Sequence, residues 1–238
     1  MSKIVIVLTS HTQLGDTGKP TGFYFEEMAA PYWALMDAGH EVDIASISGG
    51  AAVHDPSSMN VDPAKRPAPV VRFMSDAAAM AKLSNTRPLG EIDPSGFDGV
   101  FLAGGHGTMF DFPENEFLGR IVGSIYDTGG IIGAVCHGPA GLMNARRADG
   151  MPIVAGQRVS SFTDAEEEAV GLAEVMPFLL ESRLRDLGAL FEGAGNFQAH
   201  AVLDRRLVTG QNPASAPIVA EKLVEALASL SKSRLAGA

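Results

Sequence analysis

One cysteine stands among the 238 residues, and its neighbours make it the first candidate for chemistry. Ala134-Val135-Cys136-His137-Gly138-Pro139 runs from a short apolar strand pattern into a helix start. Small residues two positions to either side of Cys136 suit a tight strand-to-helix turn. That is the elbow spacing of Gly-x-Ser-x-Gly, with cysteine replacing serine as nucleophile. Pro139 falls near the first helical turn, where its missing N–H costs nothing. The positive end of that helix is expected to stabilise a thiolate and lower the thiol pKa from ~8.5. A lone cysteine is more often a small buried hydrophobe. Core packing, however, does not require a strand-Cys-His-Gly-Pro-helix junction, and the placement favours a nucleophile.

A second loop, Ala103-Gly104-Gly105-His106-Gly107-Thr108, also comes after a strand pattern. Its glycines let backbone N–H groups approach a ligand, as an oxyanion hole needs. It lacks the Lys-Ser/Thr ending of a phosphate-binding loop. His106 fits a loop hydrogen-bonding role as well as a catalytic one. A cysteine nucleophile also needs a proton acceptor and an orienting group. His137 is adjacent, and the acids Glu26-Glu27 and Glu166-Glu167-Glu168 are further candidates. Thr163-x-x-Glu166 fits a capping box, which explains Glu166 without catalysis.

The elements that must position these residues alternate along the chain. Ile4–Leu8, Val42–Ala45, Phe97–Ala103, Ile131–Val135 and Leu207–Thr209 read as strands. Phe23–Ala38, Val70–Leu83, Glu116–Tyr126, Val175–Leu187 and Ala214–Leu230 read as helices, and Pro152–Val159 as a hairpin. This pattern predicts an α/β fold: a mostly parallel central sheet with helices on both faces. One domain is expected over residues 1–238. Residues from about 48 to 69, rich in Gly, Pro, Asp and Ser, form an excursion expected to be a lid or an interface.

Composition narrows the function classes. One cysteine excludes an internal disulfide and any multi-thiolate metal cluster. Twenty-eight acidic against 18 basic residues give a net charge of −10, which argues against nucleic-acid binding. The six histidines are scattered with no two at helical i, i+4 spacing, so no metal site is expected. No stretch approaches the ~20 apolar residues of a membrane span, and Ile4–Leu8 is short for a secretory core. The expectation is a soluble cytoplasmic protein without a membrane partner.

With these residues assembled, the chain resembles the ThiJ/PfpI superfamily, and most closely its glyoxalase III and stress-chaperone branch. The resemblance rests on Thr21-Gly22-Phe23-Tyr24-Phe25-Glu26-Glu27 with Pro31, on Ala103–Pro113, on Ala134–Ala140, and on Phe162-Thr163-Asp164 with Glu167. Asp204-x-Arg206-Leu207-Val208-Thr209-Gly210-x-Asn212-Pro213-Ala214-Ser215 closes it. It implies a flavodoxin-like sandwich with no organic cofactor. It also implies Cys136 as nucleophile, Glu27 as the carboxyl beside the sulfur, and His137 with Glu167 as the rest of a Cys-His-acid arrangement. Gly105, His106 and Gly107, together with the His137 N–H, would supply the oxyanion and substrate-binding site.

The implied activity is glutathione-independent conversion of methylglyoxal and related 2-oxoaldehydes, as small-molecule aldehyde substrates, to 2-hydroxy acids by a homodimer. The same superfamily offers alternatives at the same sulfur: an oxidation-sensing chaperone, a deglycase, an amidase or peptidase, or a hydratase. An amidotransferase-type amidase would carry a late His-x-Glu pair, whereas His200 is followed by Ala201 and Val202.

Overall fold

Short β-branched runs form the strands, and helices bury them from both sides. The computed structural model describes residues 1–236. In chain order its elements are β1 Lys3–Leu8, α1 Phe25–Asp37, β2 Glu41–Ser46, α2 Ala68–Ser75, α3 Ala77–Ser84, β3 Arg87–Pro88, β4 Gly99–Leu102, α4 Thr108–Asp111 and α5 Glu116–Asp127. Then come β5 Ile131–Val135, β6 Arg158–Val159, α6 Asp164–Ala169, α7 Leu180–Asp186, β7 Leu190–Phe191, β8 Ala201–Asp204, β9 Leu207–Gly210 and α8 Ala216–Ala236.

Seven strands form one sheet in the order β3-β2-β1-β4-β5-β9-β8. Every pairing in it is parallel except that of β8 with β9. Successive side chains point to opposite faces. Ile4, Ile6, Phe101 and Val208 pack under α1, α2, α3 and α8 through Met28, Phe73, Leu83 and Leu223. Val5, Val7, Val100 and Ile132 pack on the other side against Met109, Ile121 and Leu184 of α4, α5 and α7. This is the flavodoxin-like α/β sandwich expected. The strand order reverses between β1 and β4, so a crevice opens at the carboxyl ends of the strands there. Thr9, Gly104 and Cys136 lie just beyond those ends of β1, β4 and β5.

Several elements differ from expectation for identifiable reasons. The helix expected over Val70–Leu83 is two helices, because the Asp76 carboxylate caps α3 by accepting from Ala79 N–H at 2.9 Å. The expected hairpin at Pro152–Val159 is absent. Tight turns fill most of it, with Gly156 at φ 69°, and Arg158–Val159 pairs instead with β7 in a separate parallel ladder. Helix α7 begins only at Leu180, since Pro177 cannot continue helical hydrogen bonding.

The excursion near residues 48–69 has two proline-initiated 3₁₀ turns, capped by Asp55 and Asp62. Its first part braces the segment leading into α1. Phe23 N–H donates to Val53 O at 3.1 Å, Asp55 N–H donates to Phe23 O at 2.8 Å, and Thr21 Oγ1 donates to Asp55 at 2.6 Å. Gly22 permits this approach: a Cβ there would lie 2.1 Å from Val53 O.

Candidate active site

Strand β5 ends in an elbow. Cys136 has φ of 60°, a left-handed conformation costly for a residue with a Cβ. Two backbone bonds hold it: Cys136 N–H donates to Gly210 O and Phe162 N–H donates to Cys136 O, both at 2.9 Å. Gly138 completes the turn, because a Cβ there would meet Leu102 O at 2.2 Å. The chain continues as a 3₁₀ segment over Gly138–Leu142 rather than as a regular α-helix.

The thiol environment overturns the expectation of a lowered pKa. Burial pushes the Cys136 thiol well up, and the neighbouring Glu27 and Glu167 carboxylates add to the rise. The His137 N–H, directed at the sulfur, opposes it only in part. A five-residue 3₁₀ turn brings little dipole to offset the loss of water.

The first turn of α1 carries both candidate acids, and one residue is about 100° of helical rotation. Glu26 is partly exposed, while Glu27 is fully buried beside the sulfur. Gly104 leaves room for that contact. A Cβ on it would stand 2.4 Å from Glu27 Oε2 and 2.8 Å from Cys136 Cβ. Neither Glu27 oxygen meets full hydrogen-bond geometry with a protein group, so carboxyl and sulfur are neighbours without an aligned bond. Burial therefore dominates, and the Glu27 pKa lies well above the ordinary carboxylate range.

On the other side of the sulfur, His137 Nδ1 lies 3.3 Å from Cys136 Sγ. His137 Nε2 is 2.7 Å from Glu167 Oε2, and His106 Nε2 is 2.9 Å from Glu167 Oε1. Burial alone would raise Glu167, but the two imidazoles outweigh it and hold the carboxyl at about 2. An ionised Glu167 can only accept, so His137 must donate from Nε2, which leaves Nδ1 bare toward the sulfur. Burial, then His106, lowers the His137 pKa and favours this neutral form. The Phe162 ring covers His137 at 4.6 Å between centroids.

Glu166 faces elsewhere. It completes the capping box with Thr163 and accepts from Phe197 N–H at 2.7 Å and Asn212 Nδ2 at 2.8 Å. The fold thus brings Cys136, His137, Glu27, Glu167 and His106 together and leaves Glu26 and Glu166 apart. Gly105 presses on the segment leading into α1, where a Cβ would lie 2.3 Å from Gly22 O. The missing side chain of Gly107 makes room for Thr9 and the His11 carbonyl rather than for the sulfur.

Two residues that the sequence motifs contain, but to which the sequence reading gives no role, stand beside the reacting groups. Gly104, the first glycine of its loop, is the one against the reacting groups. Tyr24, three residues before Glu27, has its phenol pushed up to about 12 by burial and by Glu27 and Cys136. Its i, i+3 spacing to Glu27 is the one signal that could have found it. Among the described residues, His106, His137 and Glu167 form a group whose donors converge within 4.8 Å, a set that could hold a cation. Such donors suit zinc or iron, although here they engage one another. A cleft of 680 Å³ lined by Glu114, Met143, Arg146 and Arg183 includes none of these residues.

Residues 21–226 match the DJ-1/PfpI family. The chain belongs to the DJ-1/PfpI family. It is 31% identical over 237 residues to Glyoxalase 3 of Candida albicans, covering 95% of this chain and 98% of that protein. The crystal structure of glyoxalase III from Candida albicans superposes with a TM-score of 0.86, over 94% of this chain and 97% of the other at 31% identity. The Rapid Encystment Protein 24 KDa of Francisella tularensis gives 0.90 at 35% identity, over 95% of this chain and 99% of that one.

Proposed function

We propose that this DJ-1/PfpI chain is a glutathione-independent glyoxalase, a lyase-type enzyme that converts methylglyoxal and related 2-oxoaldehydes to 2-hydroxy acids. One observation carries the reading. A buried carboxyl of raised pKa, Glu27, sits on one side of the Cys136 sulfur, and a fixed-charge His137–Glu167 pair sits on the other. Isomerising an aldehyde–ketone pair needs both a nucleophile and a base able to move a carbon-bound proton.

The steps balance within these groups. The Cys136 S–H proton passes to His137 Nδ1 while sulfur bonds to the aldehyde carbon. Glu27 gives its proton to the resulting alkoxide. Its buried carboxylate, a stronger base than one in water, then takes the hydrogen of the former aldehyde carbon as a proton. The electron pair left behind forms an enediol, and the neighbouring oxygen collects the proton held on His137. Glu27 returns its proton to the former ketone carbon and recovers one as the thioester carbonyl forms. Water then cleaves the thioester, and sulfur regains its proton through His137. One carbon is oxidised and its neighbour reduced, so the reaction needs no external electron acceptor. Cys136 takes the place that glutathione's thiol would hold, and the His137 N–H with the Gly105 backbone supports the oxyanion.

The test is lactate formation from methylglyoxal without glutathione. Wild type turns over; Cys136→Ser and Glu27→Gln do not, and full activity in either variant refutes the mechanism. The family resemblance further favours a cytoplasmic homodimer, checked by light scattering and by cell fractionation. No helix among the described residues is long and apolar enough to cross a membrane.

A further inference from the structure

We infer that His106 is a positioning residue for the Cys136–His137 pair: it holds the second oxygen of Glu167 and fixes the orientation of that carboxylate toward His137. The inference deepens the glyoxalase reading and rests on it for its kinetic readout.

The geometry is specific. Glu167 uses one oxygen for each imidazole, at 2.7 Å to His137 and 2.9 Å to His106. A carboxylate held by one donor can swing about its Cβ–Cγ and Cγ–Cδ bonds, whereas two donors on separate loops lock its plane. The two rings lie 4.2 Å apart between centroids, tilted by 42°. The Thr108 hydroxyl, which contacts Gly105 O at 2.8 Å and His137 O at 3.1 Å, ties the loop of one ring to the elbow of the other. His106 therefore acts on the sulfur through Glu167 and His137, without touching it.

Exposure separates the two histidines. The His137 side chain is 1% exposed, Glu167 4%, and His106 19%. His106 thus forms the outer wall of the group, with His137 and Glu167 behind it. The Glu166 carboxylate, next in sequence, is already engaged by Thr163, Phe197 and Asn212.

A carboxylate fixed in this way faces His137 Nε2 in the orientation that balances the imidazolium formed when Nδ1 takes the thiol proton. A carboxylate free to turn would balance that charge only part of the time, and the sulfur would lose an effective proton acceptor.

Two substitutions isolate the hydrogen bond. In His106→Gln an amide N–H still reaches for Glu167, whereas His106→Leu removes the donor. We expect His106→Leu to lower kcat about ten- to hundredfold at neutral pH with little change in KM, the size of one lost bond to a charged group. His106→Gln should recover most of that loss. Alkylation of Cys136 by iodoacetamide gives a second readout that needs no aldehyde turnover. It should be slower in the Leu variant and near the wild-type rate in the Gln variant. Circular dichroism melts check that both variants fold. A Leu variant with wild-type kcat and alkylation rate overturns the inference. So does a Gln variant as slow as the Leu variant, or a rise in KM alone in both variants, which would make His106 a substrate contact. If the wild type makes no lactate while the alkylation pattern holds, the glyoxalase reading fails and the positioning role stands.

Discussion

Glu27 and Glu167 are chemically the same side chain, both buried around one sulfur, and the fold drives them in opposite directions. Glu27 comes from the first turn of α1 and has no aligned partner for either oxygen. Glu167 comes from the first turn of α6 and has an imidazole on each. Burial without partners keeps the first carboxyl protonated far above its ordinary range, and two donors hold the second at about 2. A group that gains and loses a proton easily suits transfer between substrate carbons; one that never does suits orienting an imidazole. Satisfaction of the oxygens, rather than depth, separates the two roles.

The contrast between these carboxyls can be broken most sharply at Glu27. Glu27→Gln keeps the volume but cannot carry a proton, and kcat should fall by about 10²- to 10⁴-fold. Its melting temperature should stay near the wild type's, because no aligned hydrogen bond is lost. Activity lost together with a collapse in stability would mean that Glu27 is structural.

Next comes Glu166, one residue from Glu167. Glu166→Ala removes the capping box, strands Phe197 N–H and leaves the Asn212 amide only Gln198 O to donate to, so denaturant unfolding should show a loss of about 2–4 kcal/mol. An unchanged midpoint would show that those bonds contribute nothing. Glu167→Gln should cost kcat about ten- to hundredfold, since an amide cannot accept from both imidazoles. A loss as deep as that of Glu27→Gln would give Glu167 a part in proton transfer.

The smallest effect is in stability against pH. Glu167 falls from its ordinary 4.5 to about 2 in the fold, so its contribution is complete above pH 4.5 and is lost as pH drops toward 2. Asp111, raised from 3.8 to about 6 mainly by burial, works oppositely: the fold gains stability as pH falls from 6 toward 3.8. Thermal melts across pH 2–7 should lose the lower component in Glu167→Gln and the upper one in Asp111→Asn.

Legibility in the sequence is local. The elbow at Cys136 and the Thr163–Glu166 capping box are written in consecutive residues, and alternating apolar runs give the parallel sheet. The His106–Glu167 contact is not of this kind. It joins a loop after β4 to a helix 61 residues later, so no spacing rule reports it. The six scattered histidines hide a cluster that only folding assembles. The sign of the thiol shift is illegible because a helix-like sequence carries no measure of how far water is excluded. Strand β8 is unreadable for another reason: Ala201-Val202-Leu203-Asp204 is a short edge strand, fixed by its antiparallel neighbour β9 rather than by its own pattern.

The left-handed backbone at Cys136 has a consequence for how the chain can change. A side chain at φ 60° costs about 1–2 kcal/mol relative to glycine, which adopts that conformation freely. Cys136→Gly should therefore melt higher than the wild type while losing its reactive sulfur. A screen for heat resistance alone would steer this position toward an inert protein, and only a screen that also demands turnover would hold the cysteine in place.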